Sequence, residues 1–85
     1  MAGKADKVGT VTHYYTKIGV AIVKFDKPVK VGDKIKFEGG KTKFDQVISE
    51  MQLEHKAINE VSKGQEVGLK VDQRVREGDG VFLAV

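Results

Sequence analysis

Two Gly-Asp pairs, each set between short apolar runs, constrain the fold of this chain more than any other feature. The first lies in PVKVGDKI at residues 28–35 and the second in VREGDGV at residues 75–81. Glycine adopts the left-handed backbone conformation without steric cost, and an aspartate carboxylate can accept a hydrogen bond from a nearby backbone amide. Both pairs therefore predict corners between β-strands, and neither resembles a pair of catalytic carboxylates.

Short runs of β-branched and aromatic residues fill most of the remaining chain. No stretch keeps the helical apolar spacing for three turns, which argues against a long helix. The runs predict strands at residues 8–15, 20–25, 34–38, 41–44, 47–53, 66–71 and 81–85, with a short extended piece at 57–61. This spacing is typical of an all-β fold, a small closed antiparallel barrel of about six to seven strands, and closure would leave no free sheet edge.

Local details refine this prediction. Residues 16–19 form a turn between the first two strands, and Gly39-Gly40 forms a tight hairpin. Ile48 and Met51 break the alternation within residues 47–53, so a β-bulge is expected to bring both inward. The strand at 20–25 is apolar on both faces, which indicates a central, covered position. The predicted core comprises Val11, Ala21, Val23, Phe25, Val31, Ile35, Phe37, Val47, Ile48, Met51, Val61, Val67, Leu69, Val71, Val81 and Leu83.

The length of 85 residues corresponds to one domain, predicted at residues 7–85 after a disordered tail at 1–6. The sequence has no cysteine, no phosphate-loop motif and no nucleophile elbow. Its two histidines, His13 and His55, lack the spacing of metal ligands. We therefore expect no enzyme, cofactor, metal or nucleotide site. No segment is long and apolar enough to span a membrane, and the polar start lacks the features of a signal peptide, so the cytoplasm is the expected location.

Charge is unevenly distributed along the chain. Residues 1–43 contain ten Lys and four acidic residues, whereas residues 44–85 contain five basic and eight acidic residues. Two groups in the first half are candidates for binding phosphates or stacking on bases. They comprise Lys34, Lys36, Lys41 and Lys43 on one hairpin, and Tyr14, Tyr15 and Lys17 at another. The alternatives are a solvated lysine face that protects sheet edges and a surface tyrosine that packs along the sheet.

The ordered set of motifs resembles the second domain of translational GTPases such as elongation factor Tu. It consists of Gly9-Thr10-Val11, the residues at 29–35, 47–51 and 63–69, and Gly78-Asp79. The resemblance implies a stand-alone translation-protein barrel that contacts tRNA or ribosomal RNA. Without the GTPase domain it implies no GTP binding.

The segment at residues 13–28 is longer than in elongation factor Tu. It is more similar to the C-terminal barrel of the collagenase-like peptidases, through Gly19-Val20-Ala21-Ile22-Val23 followed by Val31-Gly32-Asp33. That resemblance implies no peptidase activity without the catalytic domain. The first functional hypothesis is thus a non-enzymatic module that binds tRNA, ribosomal RNA or a ribonucleoprotein. The alternative is a protein-interaction adaptor that docks on a separately encoded catalytic partner.

Overall fold

The structure, a computed structural model, describes residues 7–54 and 56–84. The predicted tail at residues 1–6 lies outside the described residues, as do His55 and Val85. The regular elements of the described part are all β-strands. In chain order they are β1 (Lys7–Tyr15), β2 (Val20–Phe25), β3 (Val29–Lys30), β4 (Lys34–Glu38), β5 (Lys43–Val47), β6 (Met51–Leu53), β7 (Lys56–Ile58), β8 (Glu60–Val61), β9 (Glu66–Lys70) and β10 (Gly80–Leu83).

Eight of these strands form one curled antiparallel sheet in the order β5-β4-β10-β1-β2-β9-β6-β7. The remaining two, β3 and β8, pair with each other in a separate ribbon. The predicted all-β antiparallel architecture is confirmed, but the closed barrel of six to seven strands is wrong. The sheet is a half-barrel whose end strands, β5 and β7, are not paired with each other. Among the described residues, no helix is long and apolar enough to cross a membrane.

The side-chain amide of Gln46 connects the β5 end of this open sheet to the chain at the end of β9. Gln46, in β5, is only 7% exposed. Its Nε2 donates to the carbonyl of Lys70 at 2.9 Å, and its Oε1 accepts from the backbone N–H of Asp72 at 2.8 Å. Because β5 and β9 are not neighbours in the sheet, these two bonds tie the end strand across the interior of the half-barrel.

Both predicted Gly-Asp corners are confirmed. At residues 30–33, the Asp33 N–H donates to the Lys30 carbonyl at 3.1 Å, and the Asp33 carboxylate accepts from the Lys30 N–H at 3.0 Å. The corner at residues 76–79 repeats the two bonds at 3.1 and 2.8 Å. The glycines at the third positions have φ of +100° and +92°, the region that a type II turn reserves for glycine.

Residues 62–65 form a third copy of the same corner, which the Gly-Asp pattern does not include. The Gln65 N–H donates to the Ser62 carbonyl at 3.3 Å, and the Gln65 side-chain oxygen accepts from the Ser62 N–H at 2.8 Å. The glycine between them has φ of +85°. A glutamine amide thus replaces the aspartate carboxylate, since either oxygen can satisfy the first backbone amide of the turn.

The predicted core is buried except at three positions. Val31 is 36% exposed because it is the second residue of a corner, and Leu83 is only partly buried. Val47 is 54% exposed, because the register places Gln46 opposite the buried Ile35 and turns the next side chain outward. Three buried hydrophobic residues were not predicted: Val8, Val29 and Val75.

The segment predicted as one bulged strand at residues 47–53 is in fact a passage between two parts of the sheet. β5 ends at Val47 beside β4, and β6 begins at Met51 beside β9. Ile48 and Met51 are both buried, as predicted. They point inward because the chain leaves one end of the sheet and enters near the other. Register shifts typical of a β-bulge occur instead in β1, between Lys7 and Gly9 opposite β10 and between Val11 and His13 opposite β2.

Candidate functional site

The β1–β2 hairpin carries three of the residues predicted to bind a partner. Tyr14 and Tyr15 end β1, and their side chains point to opposite faces of the sheet. Tyr14 packs against the core, whereas Tyr15 is 46% exposed. Lys17 is exposed in the loop at residues 16–19, which lies where the sequence predicts a turn. The hairpin thus presents one tyrosine and one lysine outward.

His13 lies beside Tyr15 on the same strand. Its Nδ1 is 3.1 Å from Oε2 of Glu77, and its ring meets the Tyr15 ring edge-on with centroids 4.4 Å apart. A histidine–carboxylate pair can activate a hydroxyl nucleophile that is hydrogen-bonded to the imidazole. The neighbouring hydroxyl, that of Thr12, instead donates to the Ile22 carbonyl at 3.2 Å. The pair therefore holds the histidine against the tyrosine rather than forming a triad.

The second predicted group lies on the β4–β5 hairpin and comprises Lys34, Lys36, Lys41 and Lys43. Acidic side chains alternate with these lysines. Asp45 lies directly opposite Lys36, and Glu38 lies opposite Lys43. In addition, Nζ of Lys34 is 3.5 Å from Oδ2 of Asp45. The outer face of this hairpin is therefore a mixed-charge surface rather than a row of free cations.

The length of the hairpin loop explains why lysines lie opposite acidic residues instead of opposite one another. The expected two-residue turn at Gly39-Gly40 would place Lys36 opposite Lys43. The structure instead has a four-residue loop at 39–42, closed by a bond from the Gly39 N–H to the Thr42 carbonyl at 2.8 Å. This shifts the register by two residues, so a lysine–lysine pair becomes a lysine–aspartate pair. The same shift places Lys41 in the loop instead of on β5.

The two predicted groups do not form one surface. The β4–β5 hairpin lies at one end of the sheet, and β10 and β1 separate it from β2. A single ligand that contacts all seven predicted residues would have to lie across four or more strands. The predicted site therefore divides into two separate patches.

The sequence analysis missed an apolar area on the outer face of β2. Val20 and Ile22 point outward there and are only partly buried, and Ile18 in the adjoining loop is 64% exposed. The sequence pattern that indicates this area is the presence of apolar residues on both faces of β2. That pattern predicts a strand covered on both faces. The structure confirms the central position of β2 between β1 and β9, but no second layer covers its outer face within the described residues.

Metal chemistry has little support in the described residues. No group of three or more His, Cys, Asp or Glu side chains is placed to hold an ion in residues 7–54 and 56–84. His13 pairs with Glu77 on the surface. The other histidine considered, His55, lies outside the described residues.

These observations define the class of domain: an open half-barrel of eight antiparallel strands with one core and a separate two-stranded ribbon. No protein-family model matches the sequence. An uncharacterized protease of Methanocaldococcus jannaschii is 37% identical over 78 residues, which cover 91% of this chain. The chain spans 19% of the length of that protease.

Two solved structures have the same fold, and both are of the C-terminal domain of a Geobacillus thermoleovorans protein assigned to the U32 peptidases. One has a TM-score of 0.89 and 23% sequence identity, and it covers 94% of this chain and 93% of that one. The selenomethionine variant has a TM-score of 0.86 and 24% identity, with 91% and 98% covered. The similarity to the C-terminal domain of collagenase-like peptidases is thereby confirmed, and none of these proteins is a translation factor.

The comparisons overturn the first functional hypothesis. A translation-factor-like module that binds tRNA or ribosomal RNA is wrong, because the similar proteins are a protease and a peptidase domain. The mixed charges on the β4–β5 hairpin agree with this correction, since Asp45 and Glu38 would repel phosphates. The alternative hypothesis of a protein-interaction adaptor fits the comparisons better.

Proposed function

We propose that this chain is a non-catalytic, protein-binding domain that docks on the catalytic domain of a U32-type peptidase. The observation that carries this proposal is the extent of the structural match. The chain overlays 91% of its own length on a C-terminal peptidase domain and covers 98% of that domain. A match over nearly the whole of a C-terminal domain supports the proposal that the catalytic region belongs to a different domain.

Residues 7–54 and 56–84 contain no assembled catalytic group, which supports the non-catalytic part of the proposal. The one described imidazole, His13, is bound to Glu77 without a hydroxyl or thiol nucleophile attached. Asp33 and Asp79, the last residues of the two corners, accept hydrogen bonds from local backbone amides and so serve as turn residues. We infer a cytoplasmic setting from the cysteine-free composition, which is typical of proteins in reducing compartments.

Affinity purification tests the docking function. The tagged chain is purified from cells that naturally make it, in parallel with and without ribonuclease treatment, and bound proteins are identified by mass spectrometry. We expect a protein with a peptidase catalytic domain to be recovered in near-stoichiometric amount, unchanged by ribonuclease. Recovery of RNA without a peptidase would contradict the proposal.

A turnover assay tests the non-catalytic role. The purified chain is incubated with fluorescently labelled casein, and release of labelled peptides is followed against a buffer control. We expect no release above buffer. Activity that co-elutes with the chain through two separations and disappears on substitution of one acidic residue would show that the chain is itself an enzyme.

A further inference from the structure

We propose that the β1–β2 hairpin tip and the adjoining outer face of β2 form the docking surface for the peptidase catalytic domain. The surface is defined by Tyr15, Ile18, Val20, Ile22 and Gly68, and we name it the hairpin patch. Its partner segment is an apolar loop flanked by carboxylates. This inference rests on the proposed function and adds the place and the chemistry of the contact.

Exposure singles out this part of the molecule. Four large hydrophobic side chains of the described residues are exposed, and two of them, Tyr15 at 46% and Ile18 at 64%, lie three positions apart on one hairpin. The other two, Val31 and Val47, occur singly at a corner and on an end strand. Isolated exposed hydrophobic residues are ordinary, whereas a contiguous group marks a surface for interaction.

The outer face of β2 extends the exposed residues of the hairpin into a continuous area. The register places Tyr15 opposite Val20, and Ile22 opposite Gly68 of β9. These four positions form two adjacent rows on the same side of the sheet, since successive residues alternate between faces. Val20, Ile22 and Gly68 are partly buried, and none of the described strands forms a second layer over them.

Gly68 gives the surface its shape. A methyl group at that position would lie 3.4 Å from Cγ1 of Val20 and 3.7 Å from Cδ1 of Ile22. Its absence leaves a shallow recess of about 220 Å³ between Ile18 and the β6 residue Gln52. A second hollow of about 300 Å³ is formed by residues 14–18, so Ile18 stands between two concave areas. Such alternation of a knob with hollows suits an interdigitating protein contact.

A two-sided apolar strand is normally found between two packed layers. The inner face of β2, with Ala21, Val23 and Phe25, is fully covered by the core. Its outer face carries Val20 and Ile22 without a second layer in the described residues, and the exposed Lys24 ends this apolar stretch. In a peptidase, the catalytic domain is available to supply that layer, which gives the outward Val20 and Ile22 a physical role.

Charge specifies the chemistry of the partner segment. Lys17 lies in the hairpin loop, and Lys70 lies opposite Val20 in the neighbouring strand. Both are exposed, and neither is in an ion pair with another described residue. The acidic groups near this rim are Glu50, beside the recess, and Glu77, whose carboxylate is paired with His13 next to Tyr15. Two cations beside an apolar area favour a partner loop flanked by carboxylates. They also predict that binding of this partner weakens as the salt concentration rises.

The test places a photoreactive residue on the hairpin patch and on a matched control position. Benzoylphenylalanine replaces Ile18 in one variant and Val47 in the other, because both residues are exposed aliphatic residues, at 64% and 54%. The chains are made in their native cells and irradiated, and adducts are identified by mass spectrometry. We expect the Ile18 probe to give at least about tenfold more adduct with the peptidase catalytic domain than the Val47 probe.

Substitutions provide the second measurement. Ile18→Asp and Lys17→Glu are each expected to reduce recovery of the peptidase about tenfold, whereas Val47→Asp should leave it within about twofold. Each variant is first shown to melt like the original chain, as expected for exposed positions. This control separates loss of docking from loss of folding.

The outcomes distinguish the two levels of the proposal. If the peptidase co-purifies but reacts with the Val47 probe, or with neither probe, the hairpin patch is wrong and the proposed function stands. If the Ile18 probe reacts with a protein other than a peptidase, or if no protein is recovered at all, the proposed function fails together with the patch. If the Ile18→Asp chain recovers as much peptidase as the original chain, the hairpin patch is not the docking surface.

Discussion

Replacing the amide of Gln46 is expected to lower the free energy of unfolding, because this amide holds the end strand β5, which among the described residues has no strand partner on its outer side. We consider Gln46→Met, which keeps the length and unbranched shape of the side chain but removes its donor and acceptor. The two lost bonds, at 2.9 and 2.8 Å, connect the end strand β5 to the carbonyl of Lys70 and the N–H of Asp72. Among the described residues, no other side chain hydrogen-bonds to both the Lys70 carbonyl and the Asp72 N–H.

The size of the effect follows from these two bonds. Each neutral hydrogen bond contributes about 1 kcal/mol net, and a backbone group left without a partner costs about 1–3 kcal/mol when it is buried. The site is only partly buried, so water can reach the freed groups and the smaller values apply. We therefore expect a loss of about 2 kcal/mol, against a total stability of about 4–10 kcal/mol for a domain of this size.

Urea unfolding of the variant and of the original chain measures this loss. The matched control is Gln52→Met, because Gln52 is an exposed glutamine on β6, and a change below about 0.5 kcal/mol is expected there. Amide hydrogen exchange adds a local measurement, since the Asp72 N–H should exchange faster in Gln46→Met alone. Equal stabilities for the two variants, or an unchanged exchange rate at Asp72, would refute the bridging role.

Two further substitutions test other contacts of the sheet. Gly39→Ala should destabilise the domain by about 1–3 kcal/mol, because the added methyl group would overlap the carboxylate of the buried Asp79. Gly40→Ala, which meets no atom within 4 Å, should change stability by less than about 0.5 kcal/mol, and thermal unfolding of both variants decides this. Lys34→Ala should cost less than about 0.5 kcal/mol in urea unfolding, because its ion pair with Asp45 is exposed to solvent; a loss above about 1 kcal/mol would contradict that assignment.

The corners were predictable because their physical cause is local. A glycine with positive φ and a following side chain that accepts a backbone hydrogen bond are both set by four consecutive residues. The same logic explains why the Gly-Asp pattern does not include the third corner. At residues 62–65 the accepting group is Gln65, whose longer side chain reaches the same amide but carries no distinctive pattern.

The open sheet was not predictable from strand spacing, because strand number and alternation are the same in closed and open sheets. The decisive feature is that residues 48–50 leave the strand after β5, which separates β5 from β6 in space. The inward-pointing Gln46 in β5 then replaces part of the strand-to-strand hydrogen bonding that closure of the sheet would have supplied. Gln46 looked like an ordinary polar residue at the sequence level, since its two partners lie 24 and 26 residues away.

The surroundings of the predicted site residues were not predictable for a related reason. The lysines of the β4–β5 hairpin were correctly assigned to one hairpin, but their neighbours depend on the register, and a longer loop placed Asp45 opposite Lys36. The apolar outer face of β2 was visible in the sequence. Whether such a face is covered depends on the number of layers in the fold, which alternation alone does not determine.

Native mass spectrometry of the tagged chain from its own cells tests directly whether the chain docks on a peptidase. We expect an intact complex of this chain with a protein that contains a peptidase catalytic domain, stable to ribonuclease and dissociated by Ile18→Asp. A chain that appears only free, or only with RNA, would show that it does not dock on a peptidase.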